Sequence, residues 1–190
     1  MVTTRHLAVD PLDARELRRC LGRFATGVTV VSYLADGELR GATVNAFTAV
    51  SLDPPLVLVS VARTARSCGW LERGPFAVNI LRADQHDVAL RFAGQPRPGA
   101  RIRWRHHPEH APCLDGAIAV LHCRSWRSYD GGDHVLHLGE VLAAEQTEGE
   151  PLLFTGGQFS TAGLPLPDGP RVVPAWVTQA RTLHDSALAV

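Results

Sequence analysis

Lysine is absent from this chain of 190 residues; all nineteen basic residues are arginine. Chemistry through a lysine Schiff base is therefore excluded. The nineteen arginines are matched by nineteen acidic residues, so the formal net charge is zero. No basic field exists to hold a nucleic acid or an anionic membrane surface. No apolar run approaches the roughly 20 residues of a membrane-spanning helix. The opening stretch MVTTRHLAVDPLD lacks the apolar core of a signal peptide, and a cytoplasmic protein is expected. Cys20, Cys68, Cys113 and Cys123 are widely spaced, with no C-x-x-C pair. They read as reduced, mostly buried thiols. No G-x-S-x-G, P-loop or G-x-G-x-x-G motif occurs, which removes the usual hydrolase, nucleotide triphosphatase and dinucleotide-fold readings.

What the chain does have is a series of short β-branched runs between turn signals. VTVVSYL (28–34), the Asp-Gly pair of ADGE and LRGATVNAFTAVSL (39–52) predict a strand, a tight turn and a return strand. DPP breaks the return. LVLVSV (56–61) is wholly apolar save for Ser60 and suits a barrel interior. FAVNIL (76–81) is another strand. Residues 117–146 predict a long hairpin around a Gly-Gly turn, and PLLFTGGQF (151–159) a last short strand. Leu17, Cys20, Leu21 and Phe24 form one apolar helical stripe, with Asp13 as cap and Gly27 as end. TARSCGWLERG (64–74) and ADQHDVALRFAG (83–94) predict two further helices, stopped by Gly74 and Gly94. Residues 94–115 read as a long loop with ARIRW (100–104) as a candidate strand. The sum predicts a mainly β (α+β) fold, a small antiparallel barrel carrying helices outside. Its domain is expected over residues 1–161, with a Pro/Gly-rich arm over 162–190.

Four stretches carry candidate chemistry, each beside a plainer reading. In ATVNAF (42–47), Thr43, Asn45 and the backbone near Ala46 can address the polar edge of a bound ring; the plainer reading is ordinary strand alternation. In SVARTARS (60–67), a helix start with Arg63, Arg66 and Ser67 suits a phosphate; the plainer reading is a capped surface helix. His134 follows a tight turn and can donate to a carboxamide or take a proton, or else bond locally. His137, three residues on, points to the opposite face of the strand, so the two do not chelate one metal. HHPEHAPC (106–113) holds three histidines and a cysteine. Its two prolines and lack of a regular ligand repeat argue against zinc, and no metal is expected.

Taken in order and spacing, LRRCLGRFATGVTVVSY, GATVNAFTAVSLDPPLVLVSV, GPFAVNIL, ALRFAG, CLDGAIAVLHCR, GGDHVLHLGEV and PLLFTGGQF resemble the flavin reductase-like proteins with the FMN-binding split barrel. These are the reductase components of two-component flavin monooxygenases. The resemblance runs from about residue 14 to about residue 160 and implies a six-stranded antiparallel split barrel with flanking helices. It implies a homodimer, hydride transfer from NADH or NADPH to FMN or FAD, and a partner monooxygenase as recipient of the reduced flavin. The flavin-binding residues it implies are Thr43, Val44, Asn45, Ala46, Ser60, Val61, Arg63, Arg66, Ser67 and Phe92, with His134 as the catalytic candidate beside the nicotinamide. Ala46 stands where the family usually has serine, and Gln158 where it often has arginine. Those departures leave a flavin-binding protein without efficient turnover as the alternative.

Overall fold

The structure, a computed structural model, describes residues 13–99 and 101–163. The arm expected over 162–190 lies outside the described residues except for Ala162 and Gly163. In chain order the elements are α1 (Ala14–Leu21), β1 (Thr26–Gly27), β2 (Thr29–Ala35), β3 (Glu38–Val44), β4 (Phe47–Leu52), β5 (Pro55–Ala62), α2 (Cys68–Arg73) and β6 (Phe76–Ile80). After a 3-10 turn come α3 (His86–Phe92), β7 (Trp104–Arg105), β8 (Cys113–Leu114), β9 (Ala119–Gly131), β10 (His134–Gln146), β11 (Leu152–Thr155) and β12 (Gln158–Thr161).

Seven strands form one antiparallel sheet in the order β3-β2-β6-β9-β10-β5-β4. The two edge strands are consecutive in sequence, with only Asn45 and Ala46 between them. The sheet therefore curls on itself into an open barrel. The expected single strand over 39–52 is thus two strands, and the main sheet has seven rather than six. Asp36 and Gly37 join β2 to β3 at φ of 52° and 78°, the left-handed pair that a two-residue I′ turn requires.

Valines fill the barrel. Val31, Tyr33, Val44, Val57, Val59, Val61, Leu71, Phe76, Val78 and Cys123 make one buried cluster. Burying each of the larger of these contributes about 1.5–3 kcal/mol. β5 alternates: Val57, Val59 and Val61 are buried, while Leu56, Leu58 and Ser60 are half-buried on the other face. That face is more open than the interior strand the sequence suggests. A second cluster, Val28, Val30, Leu81, Ala89, Leu114 and Leu152, lies outside the barrel under α3 and β11. Between the layers, Asn79 donates to the Val30 carbonyl (2.8 Å) and to Ser32 Oγ (2.8 Å), and accepts from Leu114 N–H (2.7 Å). Ser32 Oγ donates to the Pro112 carbonyl (2.5 Å). This buried hub ties the long loop after α3 to the sheet.

Three further expectations are corrected. α1 stops at Gly22 rather than Gly27, because Thr26 and Gly27 pair with Phe154 and Leu153 as β1. Its apolar stripe faces solvent: Leu21 is 63% and Phe24 76% exposed. PLLFTGGQF is a hairpin, β11–β12, turned by Gly156 and Gly157 at positive φ. Of the four thiols Cys113 and Cys123 are buried, Cys68 is half-buried and Cys20 is exposed. Burial pushes the Cys123 thiol up to about 12.

Candidate active site

The break between β3 and β4 creates one cavity. Ser60 N–H donates to the Ala46 carbonyl at 3.0 Å, so the β4–β5 pairing sets Asn45, Ala46 and Ser60 side by side. With Leu21, Phe24, Thr26, Phe47, Leu58 and Phe154 they line a cavity of about 600 Å³. Its walls are mostly apolar. Asn45 is exposed to it, and the Thr26 hydroxyl is buried with no hydrogen-bond partner among the described residues. An orphaned buried hydroxyl is costly.

A second cavity of about 570 Å³ opens where β3, α2 and the end of α3 meet. Arg40 and Arg66 line it with Asp36 and Glu38, beside Ser67, Tyr33, Trp70 and Phe92. Ser67 is 2% exposed, and its hydroxyl too has no hydrogen-bond partner among the described residues. Burial raises the pKa of the Tyr33 phenol, an effect that Arg40, Ser67 and Arg66 beside it oppose. Gly41 admits Phe92: a Cβ on Gly41 would lie 2.9 Å from the Phe92 ring.

The remaining sequence-predicted residues fall elsewhere. Thr43 Oγ1 donates to the Ala89 carbonyl at 2.6 Å and so anchors α3. Val44 and Val61 point into the barrel core, leaving only backbone groups for a ligand. Arg63 grips the β9–β10 turn: its Nε donates to the Gly132 carbonyl (2.7 Å) and its guanidinium pairs with Asp130 (2.5 Å). The Gly132 N–H and then Arg63 hold the Asp130 carboxyl below its ordinary range. His134 pairs with Ala62 of β5 at the start of β10. Its Nδ1 lies 2.6 Å from Asp133 Oδ1, and that bond lowers the Asp133 pKa. His137 is 1% exposed inside the barrel, bonded through Nδ1 to Ser128 Oγ at 2.9 Å. Burial lowers its pKa. The predicted set therefore divides in two: Asn45, Ala46 and Ser60 at the apolar cavity, and Arg66, Ser67 and Phe92 at the charged one.

The profile of the Flavin reductase like domain matches residues 21–163. The chain belongs to the flavin reductase-like family. It is 41% identical to the FMN reductase (NADH) SmoA of Agrobacterium fabrum, over 77% of its own length and 85% of that protein's. It is 39% identical to HsaB of Rhodococcus jostii, the reductase subunit of a flavin-dependent monooxygenase, over 81% of this chain and 80% of that one. Among solved structures it is similar to the NADH:FAD oxidoreductase SgcE6 of Streptomyces globisporus, with a TM-score of 0.77 and 41% identity, covering 88% of this chain and 98% of that chain. Its fold is the flavin reductase split barrel.

Residue-level reading missed part of both cavities in this flavin reductase-like chain. Thr26 and Phe154 reach the first through the β1–β11 pairing, which no local pattern signals. Phe24 had a signal, the apolar stripe, but the stripe does not say whether a core or a cavity receives it. Tyr33, Arg40 and Trp70 of the second cavity lie on three separate elements.

Proposed function

We propose that the protein is an NAD(P)H:flavin oxidoreductase that reduces FMN or FAD and passes the reduced flavin to a partner monooxygenase. The observation that carries this reading is the apolar cavity in which Asn45, Ala46 and Ser60 meet aromatic walls and the orphaned Thr26 hydroxyl. These residues would hold the flavin ring, which when bound would supply the acceptor for a hydride from reduced nicotinamide. Phe24, Phe47, Leu58 and Phe154 exclude water from one side of a planar ring, and Asn45 and the backbone around Ala46 address its polar edge. Arg66, Arg40 and the Ser67 hydroxyl receive the phosphate. Both cavities are fed by the same two chain segments. β3 gives Arg40 to Ala42 to one, and the break after it gives Asn45 and Ala46 to the other. Ala42 and Asn45 are about 10 Å apart along extended chain, so one ligand with a ring and a phosphate reaches both.

His134 orients the nicotinamide. With its Nδ1–H donated to Asp133, Nε2 is left as an acceptor, which suits the N–H of a carboxamide. The protein moves no proton of its own; its part is to hold two planar rings face to face.

The reductase works as a homodimer in this reading. Leu58 pairs with Thr48 and Leu138, and Ser60 with Leu136, which pairs in turn with Tyr129. These side chains share the outer face of the sheet, beside exposed Leu21 and Phe24. A second copy covers that face and closes the apolar cavity. We place the protein in the cytoplasm, where its four unpaired cysteines stay reduced. Among the described residues no helix is long and apolar enough to cross a membrane.

The test is NADH consumption with and without added FMN or FAD. Flavin-dependent consumption well above the flavin-only background is expected. Tight flavin binding with background consumption would make the protein a flavin carrier instead.

A further inference from the structure

We propose that His107, His110 and His122 form a binding site for one divalent transition cation of the zinc class. The fold adds to the loop histidines a partner that is distant in sequence. His122 sits on β9, paired with Ala77 of β6 and Ala143 of β10, and the loop of residues 106–112 folds over it. The three ring centroids stand 4.4, 4.6 and 5.8 Å apart. Three imidazoles bound tetrahedrally to one zinc at about 2.0–2.1 Å place their centroids about 5 Å apart, so the observed triangle brackets that size.

The buried histidine has the preparation a metal ligand needs. Its Nε2 lies 3.0 Å from Glu145 Oε1. Glu145 also accepts from Arg105 at 2.8 Å, which fixes the carboxylate behind the ring. Nε2 faces this carboxylate as its hydrogen-bond donor. That leaves the lone pair on Nδ1, which is buried and has no hydrogen-bond partner. A carboxylate behind a histidine whose other nitrogen is free is the arrangement found behind metal-ligating histidines. As the side chains stand, no three His, Cys, Asp or Glu among the described residues are arranged to hold a metal ion; the rings lie face to face instead. His107 is exposed and His110 half-buried, so both can turn edge-on while the sheet holds His122 still. The Arg105 guanidinium is engaged by Glu145, and Glu109 adds a negative charge on the same loop. The bound ion fastens the loop to the sheet from outside, as Asn79 and Ser32 fasten it from within. None of the three histidines lines either cavity of the proposed reaction.

The experiment uses the untagged full chain, stripped with a chelator and titrated with Zn²⁺ by calorimetry. One ion per chain is expected, with a rise in melting temperature on binding. His110→Ala and Glu145→Gln should each weaken Zn²⁺ by about 10–100-fold, and the His107→Ala/His110→Ala double variant should lose the thermal shift. Loading with Co²⁺ should give the intense visible bands of a four-coordinate site. His122→Asn should also abolish binding; if it fails to fold, the exposed double variant decides alone. Flavin reduction should be unchanged in the loop variants. No Zn²⁺ bound by the parent, parent-like affinity in the double variant, or a weak six-coordinate Co²⁺ spectrum overturns the site.

Discussion

The two cavities are nearly equal in volume and opposite in chemistry. One is walled by Leu21, Phe24, Phe47, Leu58 and Phe154, with Asn45, Ser60 and Thr26 as its polar points. The other is lined by charged and polar groups, Arg40 and Arg66 with Asp36 and Glu38, and by Ser67 and Tyr33. They share no lining residue, yet each draws on β3 and β5 or the residues that follow them. An apolar slot with a few hydrogen-bonding points selects a flat ring by shape and edge. Two guanidiniums give an anion charged donors at the Arg66 and Ser67 end, while Asp36 and Glu38 hold the net charge of the lining near zero. A phosphorylated flavin has both parts, and the proposal stands or falls on whether perturbing one cavity spares the other part of the ligand.

The largest expected effect comes from Phe24→Asp. Phe24 is 76% exposed in the single chain, and burying a phenylalanine contributes about 1.5–3 kcal/mol. A two-fold interface counts it twice and then sets two carboxylates in an apolar contact. Dimer dissociation should strengthen by at least about 100-fold, with flavin binding falling alongside because Phe24 also walls the apolar cavity. Light scattering should report 20.6 kDa for the variant and twice that for the parent. A parent that is monomeric and binds flavin normally removes the second copy from the site.

Next is Arg66→Ala, made alone and with Ser67→Ala. Hydrogen bonds to a charged group are worth about 1.5–3 kcal/mol, so FMN affinity should fall by about 10–100-fold. Riboflavin, which has the ring and no phosphate, should bind as before. Equal losses for FMN and riboflavin would show that the charged cavity does not hold the phosphate.

Asn45→Ala is the converse test. Losing one side-chain bond to a ring edge should cost roughly 1–3 kcal/mol, and here FMN and riboflavin should lose affinity together. Fluorescence quenching on titration measures both. Unchanged affinity excludes the Asn45 side chain from ring contact and leaves the backbone of Ala46 as the remaining polar group there.

The same contrast explains how much was readable beforehand. Strands and turns were legible wherever a local rule applied. Asp36–Gly37 between β-branched runs can be little other than a tight hairpin, and the backbone there has the φ values such a turn needs. Gly156–Gly157 is the same signal, hidden inside a stretch too short to read as two strands. The α1 stripe was legible as a helix but not as a surface, because period 3.6 fixes which side is apolar and not what covers it. Within the site, Asn45 and Ser60 were legible as polar interruptions of apolar strands. Their juxtaposition depends on the β4–β5 register, and Thr26 and Phe154 depend on a pairing across most of the chain. Thr43 carried the same polar signal and turned its hydroxyl to α3.

The smallest expected effect, and the one that separates the flavin from its reductant, is at His134. Its ring is 43% exposed and fixed by Asp133, so its removal leaves the barrel core untouched. If Nε2 accepts one hydrogen bond from the nicotinamide carboxamide, His134→Ala should raise KM for NADH or lower kcat by about 10-fold, equivalent to about 1.4 kcal/mol. Flavin affinity and melting temperature should hardly move, because neither cavity is lined by His134. A purely local role gives the reverse. Arg63 N–H donates to the Asp133 carbonyl, and the Arg63 side chain to Gly132 and Asp130, so a loosened β9–β10 turn would disturb the chain entering Arg66 and Ser67. Flavin binding and stability would then fall, while NADH kinetics at saturating flavin stayed normal. Asp133→Asn sharpens the choice: it keeps the turn and removes the charge that holds the Nδ1 proton. It should lower the rate by less than His134→Ala if orientation is the issue, and leave it unchanged if His134 never meets the nicotinamide.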